Sequence, residues 1–310
     1  MTLSISDKIL TLICSVAALS FSSANYVHAQ TMKRMSSGDV DTIALHGTAT
    51  RIAYGKDPLQ FGELRLPTGQ GPFPVAIVIH GGCYLSTYAN VRSTAALSEA
   101  LANAGIATWN IEYRRYDNPG GGWPGTFNDV SAGADYVRTL AKTQPLDASR
   151  VVVTGHSAGG QLALWLPSRA TLAKSSPLHV DSPIHLAGVV ALGPIVDMRE
   201  YQTRQLRACG NPAIESVLGG LPDAVPDRLN MVSPILRVPL KVPTVLIAGE
   251  FDPHATRASL EAYTGQARSK GDSVKVLIIE GEGHFEAIAP ARAAGKAALA
   301  AISSLLGVKN

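Results

Sequence analysis

The run of apolar and polar positions divides the chain into a short alternating portion and a longer portion of strand–helix repeats. Between 41 and 66, Thr42-Ile43-Ala44-Leu45 and Gln60-Phe61-Gly62-Glu63-Leu64-Arg65-Leu66 alternate as half-buried strands do, with Gly55-Lys56-Asp57-Pro58 as the turn between them. Pro67 and the Gly/Pro-rich stretch 69–74 close this hairpin. Val75-Ala76-Ile77-Val78-Ile79-His80 is then apolar without a break, the mark of a strand covered on both faces. Further strands are predicted over 107–113, 151–154, 186–192, 242–248 and 274–279. Helices are predicted over 90–104, from the capping pattern Thr126-Phe127-Asn128-Asp129 onward, directly after Gly159, and over 288–306. Gly105 and Gly307 stand where helix C-termini favour glycine. Alternating apolar strands and amphipathic helices imply an α/β fold: a mostly parallel, doubly wound sheet begun by an antiparallel hairpin. Residues 197–241 carry few strong patterns and read as a small cap-like insertion over one end of the sheet, within a single domain spanning 30–310.

The first 29 residues are of another kind. Lys8 precedes an apolar run over 9–21, and a polar stretch follows that ends in Val27-His28-Ala29. Small or apolar residues at −3 and −1 before Gln30 predict a signal peptide cleaved after Ala29, hence a periplasmic or secreted protein. The run of about 13 residues is too short for a membrane span, so no membrane anchor is expected. A buried N-terminal helix is the plainer alternative. Lipidation at Cys14 is unsupported, because Ile13 stands where a small residue belongs. Residues 30–40 read as a loose leader.

Composition changes this picture little. The chain has 310 residues, 46% hydrophobic and 16% charged, with a formal net charge of +3. No Lys/Arg run forms a stripe, so nucleic acid is not an expected partner. After Ala29 only Cys83 and Cys209 remain. Two cysteines make no disulfide framework, and a bridge would restrict the loop that holds Cys83, so the pair is expected to stay open.

The candidate chemistry begins at Val151-Val152-Val153-Thr154-Gly155-His156-Ser157-Ala158-Gly159-Gly160. A strand, a tight Gly-x-Ser-x-Gly turn and a helix start would raise Ser157 at a sheet edge, and the glycines leave room for the turn. The helix N-terminus behind Ser157 offers unpaired N–H groups to a developing oxyanion. With 29 glycines in the chain this pattern also arises by chance, so its weight depends on the other strand ends. One ends in His80-Gly81-Gly82-Cys83-Tyr84, another in Gly249-Glu250-Phe251-Asp252, and the last runs into Gly281-Glu282-Gly283-His284-Phe285. In an open α/β sheet ligands bind beyond the carboxyl ends of the strands. The order Ser, Asp, His is that of a nucleophile-elbow hydrolase.

With those residues in view, the chain resembles the α/β-hydrolases. It is nearest to the branch with a His-Gly-Gly-x-aromatic oxyanion loop, which includes bacterial esterases, feruloyl- and acetyl-xylan-esterase-like proteins and kynurenine-formamidase-like proteins. The resemblance spans residues 58–306, and Cys83 departs from it where related esterases carry a third glycine. It implies an α/β-hydrolase fold in which Ser157 is the nucleophile, His284 the base and Asp252 the residue that orients it. The N–H groups of Gly82, Cys83 and Ala158 would form the oxyanion hole, each typically worth ~3 kcal/mol in the transition state. Tyr84, Trp123 and His156 are candidate pocket walls, with core packing as the alternative for the first two. Glu250 and Asp197 compete with Asp252 for the acid. Ser157 as a helix cap, Asp252 as a turn former before Pro253 and His284 as a loop histidine are the plain alternatives. His80 is expected to order the oxyanion loop by hydrogen bonding. Cys83 lacks a helix start behind it and reads as a small buried hydrophobe, not a nucleophile. His254 has no second ligand pair at metal-site spacing, so no metal or other cofactor is expected. The implied activity is hydrolysis of a small-molecule carboxylic ester of small to medium acyl length. Amide or formamide hydrolysis, peptidase action, and a non-catalytic binding protein on the same scaffold are the alternatives.

Overall fold

The computed structural model describes residues 33–309, so the expected signal peptide lies outside the described residues. Eight strands form one sheet in the order β1-β2-β4-β3-β5-β6-β7-β8. They are β1 (Thr50–Ala53), β2 (Phe61–Arg65), β3 (Phe73–Ile79), β4 (Ala107–Ile111), β5 (Leu146–His156), β6 (Gly188–Leu192), β7 (Thr244–Gly249) and β8 (Val274–Ile279). β1 pairs antiparallel with β2 and β2 antiparallel with β4, while every pairing from β4 to β8 is parallel. This is the predicted mostly parallel sheet with its antiparallel start.

The unbroken apolar run of β3 is explained by layers on both faces. Successive side chains of a strand point to opposite sides. Val75, Ile77 and Ile79 join one core with Trp109, Phe127, Leu162 and Tyr263, whereas Ala76 and Val78 join a second with Leu97, Leu101, Ala298 and Ile302. The helices that supply these layers are α1 (Ser37–Asp41), α2 (Ala95–Asn103), α3 (Gly125–Asp135), α4 (Val137–Leu140), α5 (Ala158–Trp165) and, near the C-terminus, the long pair described next. Residues 197–241 fold as α6 (Met198–Gln202), α7 (Gln205–Cys209), α8 (Ala213–Leu218), α9 (Pro226–Val232) and α10 (Pro234–Arg237). Tyr201, Ile214, Val217, Leu218 and Val232 from this segment are buried in the first core. The chain closes with α11 (Arg257–Ser269) and α12 (Ala293–Leu305).

Several local expectations are corrected. Thr42–Leu45 is not a strand. Arg92 takes the carbonyl oxygens of Asp41 and Ile43, and the hairpin partner is β1 further on. α1 begins within the loose leader, opened by a reciprocal cap between Ser36 and Asp39. Thr126 does not cap α3; its hydroxyl donates to the Arg114 carbonyl, and Asp129 binds Arg114 and Gln60 instead. α11 was not predicted: it buries only a narrow stripe of Ser259, Leu260, Tyr263, Thr264 and Ala267. Cys83 and Cys209, expected to stay open, form a disulfide across a sequence separation of 126 residues.

Candidate active site

Ser157 stands at the junction of β5 and α5 with φ 56° and ψ −118°. A non-glycine residue adopts positive φ only where its surroundings enforce it, at a cost of order 1–3 kcal/mol. Here its N–H donates to the Leu192 carbonyl at 2.8 Å and its carbonyl accepts from Gln161 N–H at 3.1 Å. A side chain at Gly159 would lie 2.3 Å from the carbonyl oxygens of Ile79 and His80, so the elbow helix packs directly on the end of β3. The sharp turn is thus built by β5, the neighbouring strand ends and two small residues.

Asp252 follows β7 and His284 follows β8, and the structure brings them together: Asp252 Oδ2 lies 2.8 Å from His284 Nδ1. The other carboxylate oxygen of Asp252 accepts from the N–H groups of His254 (2.7 Å) and Ala255 (3.0 Å). Burial alone would raise the Asp252 pKa, but the neighbouring His284, its hydrogen bond and the His254 N–H outweigh it and hold the carboxyl well below the usual carboxylate range. The pair is backed by Gly193 at the end of β6, in a left-handed conformation (φ 53°). A Cβ there would meet Asp252 Oδ2 at 2.7 Å and His284 Nδ1 at 2.8 Å. The loop carrying His284 is pinned by two buried carboxylates. Glu282 accepts from Ala293 and Ala294 N–H, and Glu286 accepts from Gly283 N–H.

The competing acids are placed elsewhere. Asp197 caps α6 through the N–H groups of Arg199 and Glu200, and Glu250 accepts from Gly281 N–H.

The loop after β3 approaches Ser157 from the other side. A Cβ on Gly81 would sit 2.9 Å from Ser157 Cβ. Gly82 (φ 97°), Cys83 (φ 51°) and Tyr84 (φ 57°) are successively left-handed. Among the described residues the N–H groups of Gly82 and Cys83 have no backbone partner. Ala158 opens α5, where first-turn N–H groups have no acceptor within the helix. His80 anchors the loop: its ring nitrogens face the Gly81 carbonyl (2.9 Å) and Glu112 Oε1 (2.9 Å), and its ring stacks on Tyr113 at 4.4 Å. Arg115 also pairs with Glu112.

A cavity of about 340 Å³ opens over these groups, bordered by Ser157, His284, Gly81, Gly82 and Cys83. His156, a predicted wall, lines it. Tyr84 does not: it is fully buried behind the loop, its hydroxyl donating to Gln161 Oε1 at 2.8 Å. Trp123 does not line it either, packing on Phe127 with Arg228 over its ring. Walls that the sequence reading missed include Val40 and Ser37 of α1, Tyr88, Ala208 and His254. The Ser36-x-x-Asp39 spacing was the available signal for α1. A larger hollow of about 540 Å³, lined in part by Lys33, Arg34, Asp39 and Glu99, contains none of the candidate residues.

His254 and His156 flank the His284 ring, at centroid distances of 4.0 and 4.3 Å. Burial pushes the His254 pKa down to about 2 and the His156 pKa down to about 3, with repulsion from His284 adding to both. Both rings are therefore neutral near pH 7. His156 donates Nε2–H to the His284 carbonyl at 3.0 Å, and His254 Nδ1 meets the Tyr201 hydroxyl at 2.6 Å. Cys83, Cys209 and His254 present ligand-type atoms within 4.8 Å of one another, but both sulfurs are committed to the disulfide.

The sequence model of the BD-FAE family matches residues 63–260, which include the elbow, the oxyanion-type loop and Asp252. The chain belongs to the BD-FAE family. This is a family of α/β-hydrolase esterases, which makes the chain a carboxylic-ester hydrolase by membership. Solved structures share the BD-FAE chain's fold. One is a truncated carbohydrate esterase from gut microbiota, 22% identical over 84% of this chain and 97% of its own, with a TM-score of 0.69. A bacterial heroin esterase is 24% identical over 88% and 89%, with a TM-score of 0.68. Esterase B from Lactobacillus rhamnosis is 19% identical over 83% and 85%, with a TM-score of 0.69. Among curated proteins no sequence matches the chain.

Proposed function

We propose that this protein is a serine esterase that cleaves carboxylic esters of small to medium acyl groups through an acyl-enzyme on Ser157. The observation that carries the reading is the convergence of the Ser157 elbow and the Asp252–His284 pair on one cavity. Ser157 Oγ attacks the ester carbonyl carbon while His284 Nε2 takes its proton. Asp252 accepts from Nδ1–H, holds that tautomer and stabilises the imidazolium. The carbonyl oxygen becomes an oxyanion facing the N–H groups of Gly82, Cys83 and Ala158. Collapse of the tetrahedral intermediate expels the alcohol, which receives the proton from His284. Water, deprotonated by the same ring, then attacks the acyl-enzyme; the bond to Ser157 Oγ breaks, the carboxylic acid leaves and His284 returns the proton to Oγ.

The cavity supports the substrate class. Its lining contains no Asp, Glu, Lys or Arg among the described residues, and its volume of about 340 Å³ suits an uncharged ester of modest size. The esterases among the fold neighbours favour an ester over an amide. Reaction with a fluorophosphonate should place one adduct on Ser157, read by peptide mass spectrometry. A folded protein without that adduct would favour a binding role.

The proposed esterase is an exported protein. A buried disulfide supports an oxidising compartment, in line with the Lys8, apolar and Ala29 pattern of the first 29 residues. N-terminal sequencing of the mature protein should begin at Gln30; an intact Met1 in the active protein would contradict it.

A further inference from the structure

Resting on the esterase reading, the Cys83–Cys209 bridge ties the oxyanion-type loop to a residue 126 positions away in sequence. The loop that offers the Gly82 and Cys83 N–H groups contains three successive left-handed residues, of which only Gly82 adopts that conformation without steric cost. Such a backbone persists only where its surroundings determine it. On the sheet side the loop is held by His80 on Glu112, by Tyr113 on the His80 carbonyl and by Tyr84 on Gln161. On the cavity side it is held through one residue of the 197–241 segment. Cys209 bonds covalently to Cys83, and its carbonyl accepts from the Tyr88 hydroxyl at 2.9 Å. The same segment grips the turn after Asp252. Arg204 donates to the Pro253 and His254 carbonyls, and the Tyr201 hydroxyl lies 2.6 Å from His254 Nδ1 and 3.1 Å from Cys209 Sγ. Residues 201–209 therefore span from the oxyanion-type loop to the acid turn.

We propose that Cys209 is a positioning residue for ester hydrolysis: through the disulfide it holds the Cys83 N–H where the oxyanion forms. Cys83 borders the cavity, the side from which a small dithiol would approach the buried bridge. Reduction consumes two electrons and two protons. The dithiol closes to its cyclic disulfide, the Cys83–Cys209 bond breaks, and each sulfur leaves as a thiol. A freed loop then presents its N–H poorly to the transition state while the cavity that receives the ground-state ester is kept. Turnover is accordingly expected to fall and KM to stay. Loss of one oxyanion donor costs about a hundred- to a thousandfold in kcat, so a loosened one should cost about tenfold or more.

The test treats the whole protein with dithiothreitol under native conditions, counts two released thiols, and measures p-nitrophenyl acetate kinetics per active site titrated with a fluorophosphonate. The expected result is a kcat lower by about tenfold or more, a KM within about twofold, weaker inhibition by an alkylboronic acid that forms a tetrahedral serine adduct, and recovery on reoxidation. Cys209→Ser should show the same kinetics without dithiol and no response to it. An unchanged kcat in folded enzyme with two free thiols, or in folded Cys209→Ser, overturns the proposal. A raised KM at constant kcat overturns it too, since the bridge would then shape the pocket. Unfolding on reduction, with no folded but slow enzyme in either form, also overturns it, because the bridge would hold the chain and not the loop. Retained turnover in Ser157→Ala would sink the esterase reading itself. A redox-insensitive enzyme that Ser157→Ala inactivates sinks only the role of Cys209.

Discussion

The His254 ring lies against the His284 ring, with centroids 4.0 Å apart and planes inclined by 29°. The His156 ring also lies near it, with centroids 4.3 Å apart, so the proposed base works in contact with two imidazoles that burial keeps uncharged.

That arrangement sets a pH dependence of stability. In the unfolded chain a histidine takes a proton near pH 6.5, whereas in the fold His156 does so at about 3 and His254 at about 2. Below pH 6.5 the unfolded state binds more protons, so stability present at neutral pH is lost as pH falls. The loss approaches ~1.4 kcal/mol per unit for each ring. The carboxyls of Glu99, Glu112 and Asp252, all held low in the fold, add their own losses as pH approaches the unfolded carboxylate range, so the interval from about pH 6.5 to 5.5 reports the histidines. Urea midpoints should fall across that interval, and His254→Gln should make the fall shallower. Identical slopes for the two proteins would mean that His254 is not held neutral.

The acid can be assigned by substitution. Asp252→Asn keeps an oxygen for the His254 and Ala255 N–H groups but loses the charge facing His284, and should lower kcat/KM about a thousandfold or more. Glu250→Gln alters an exposed carboxylate bound to Gly281 N–H and should stay within about threefold. Steady-state kinetics on both variants decide it, and the reverse order would move the acid to Glu250.

Acyl length should respond to α1. Val40 is buried against the cavity together with Ile288. Val40→Phe removes part of the space, and each methylene that no longer fits is worth about tenfold or more in discrimination. The ratio of kcat/KM for p-nitrophenyl hexanoate to that for the acetate should fall about tenfold. An unchanged ratio would place the acyl group toward Tyr88 and Ala208.

The parts legible in the sequence were those where one physical demand fixes residue type over consecutive positions. β3 had to be apolar on both faces, and β5 had to end in a turn that only small residues allow beside Ser157. Asp252 and His284 could be named because each follows a strand whose end had already been located. What failed depended on partners distant in sequence. Tyr84 looked like a wall because it is aromatic and next to the loop, yet Gln161, 77 positions on, draws it into the core. The disulfide joins residues 126 apart, and two cysteines carry no spacing rule that reveals such a pairing. α11 lay hidden because a helix covering an already apolar sheet needs only a thin buried stripe. His254 by itself suggests no more than a metal ligand, and nothing local in Asp252-Pro253-His254 shows that the Tyr201 hydroxyl binds its ring beside His284.

Whether Ser157 carries the acyl group is decided by Ser157→Ala. The variant removes one oxygen and leaves both backbone hydrogen bonds of the elbow in place, so its melting temperature should stay close to that of the native protein. p-Nitrophenyl acetate turnover should fall by about a thousandfold or more, to the level left by the remaining site groups. A folded variant keeping more than about a tenth of native turnover would contradict it, because nothing in the proposed chemistry replaces the serine oxygen.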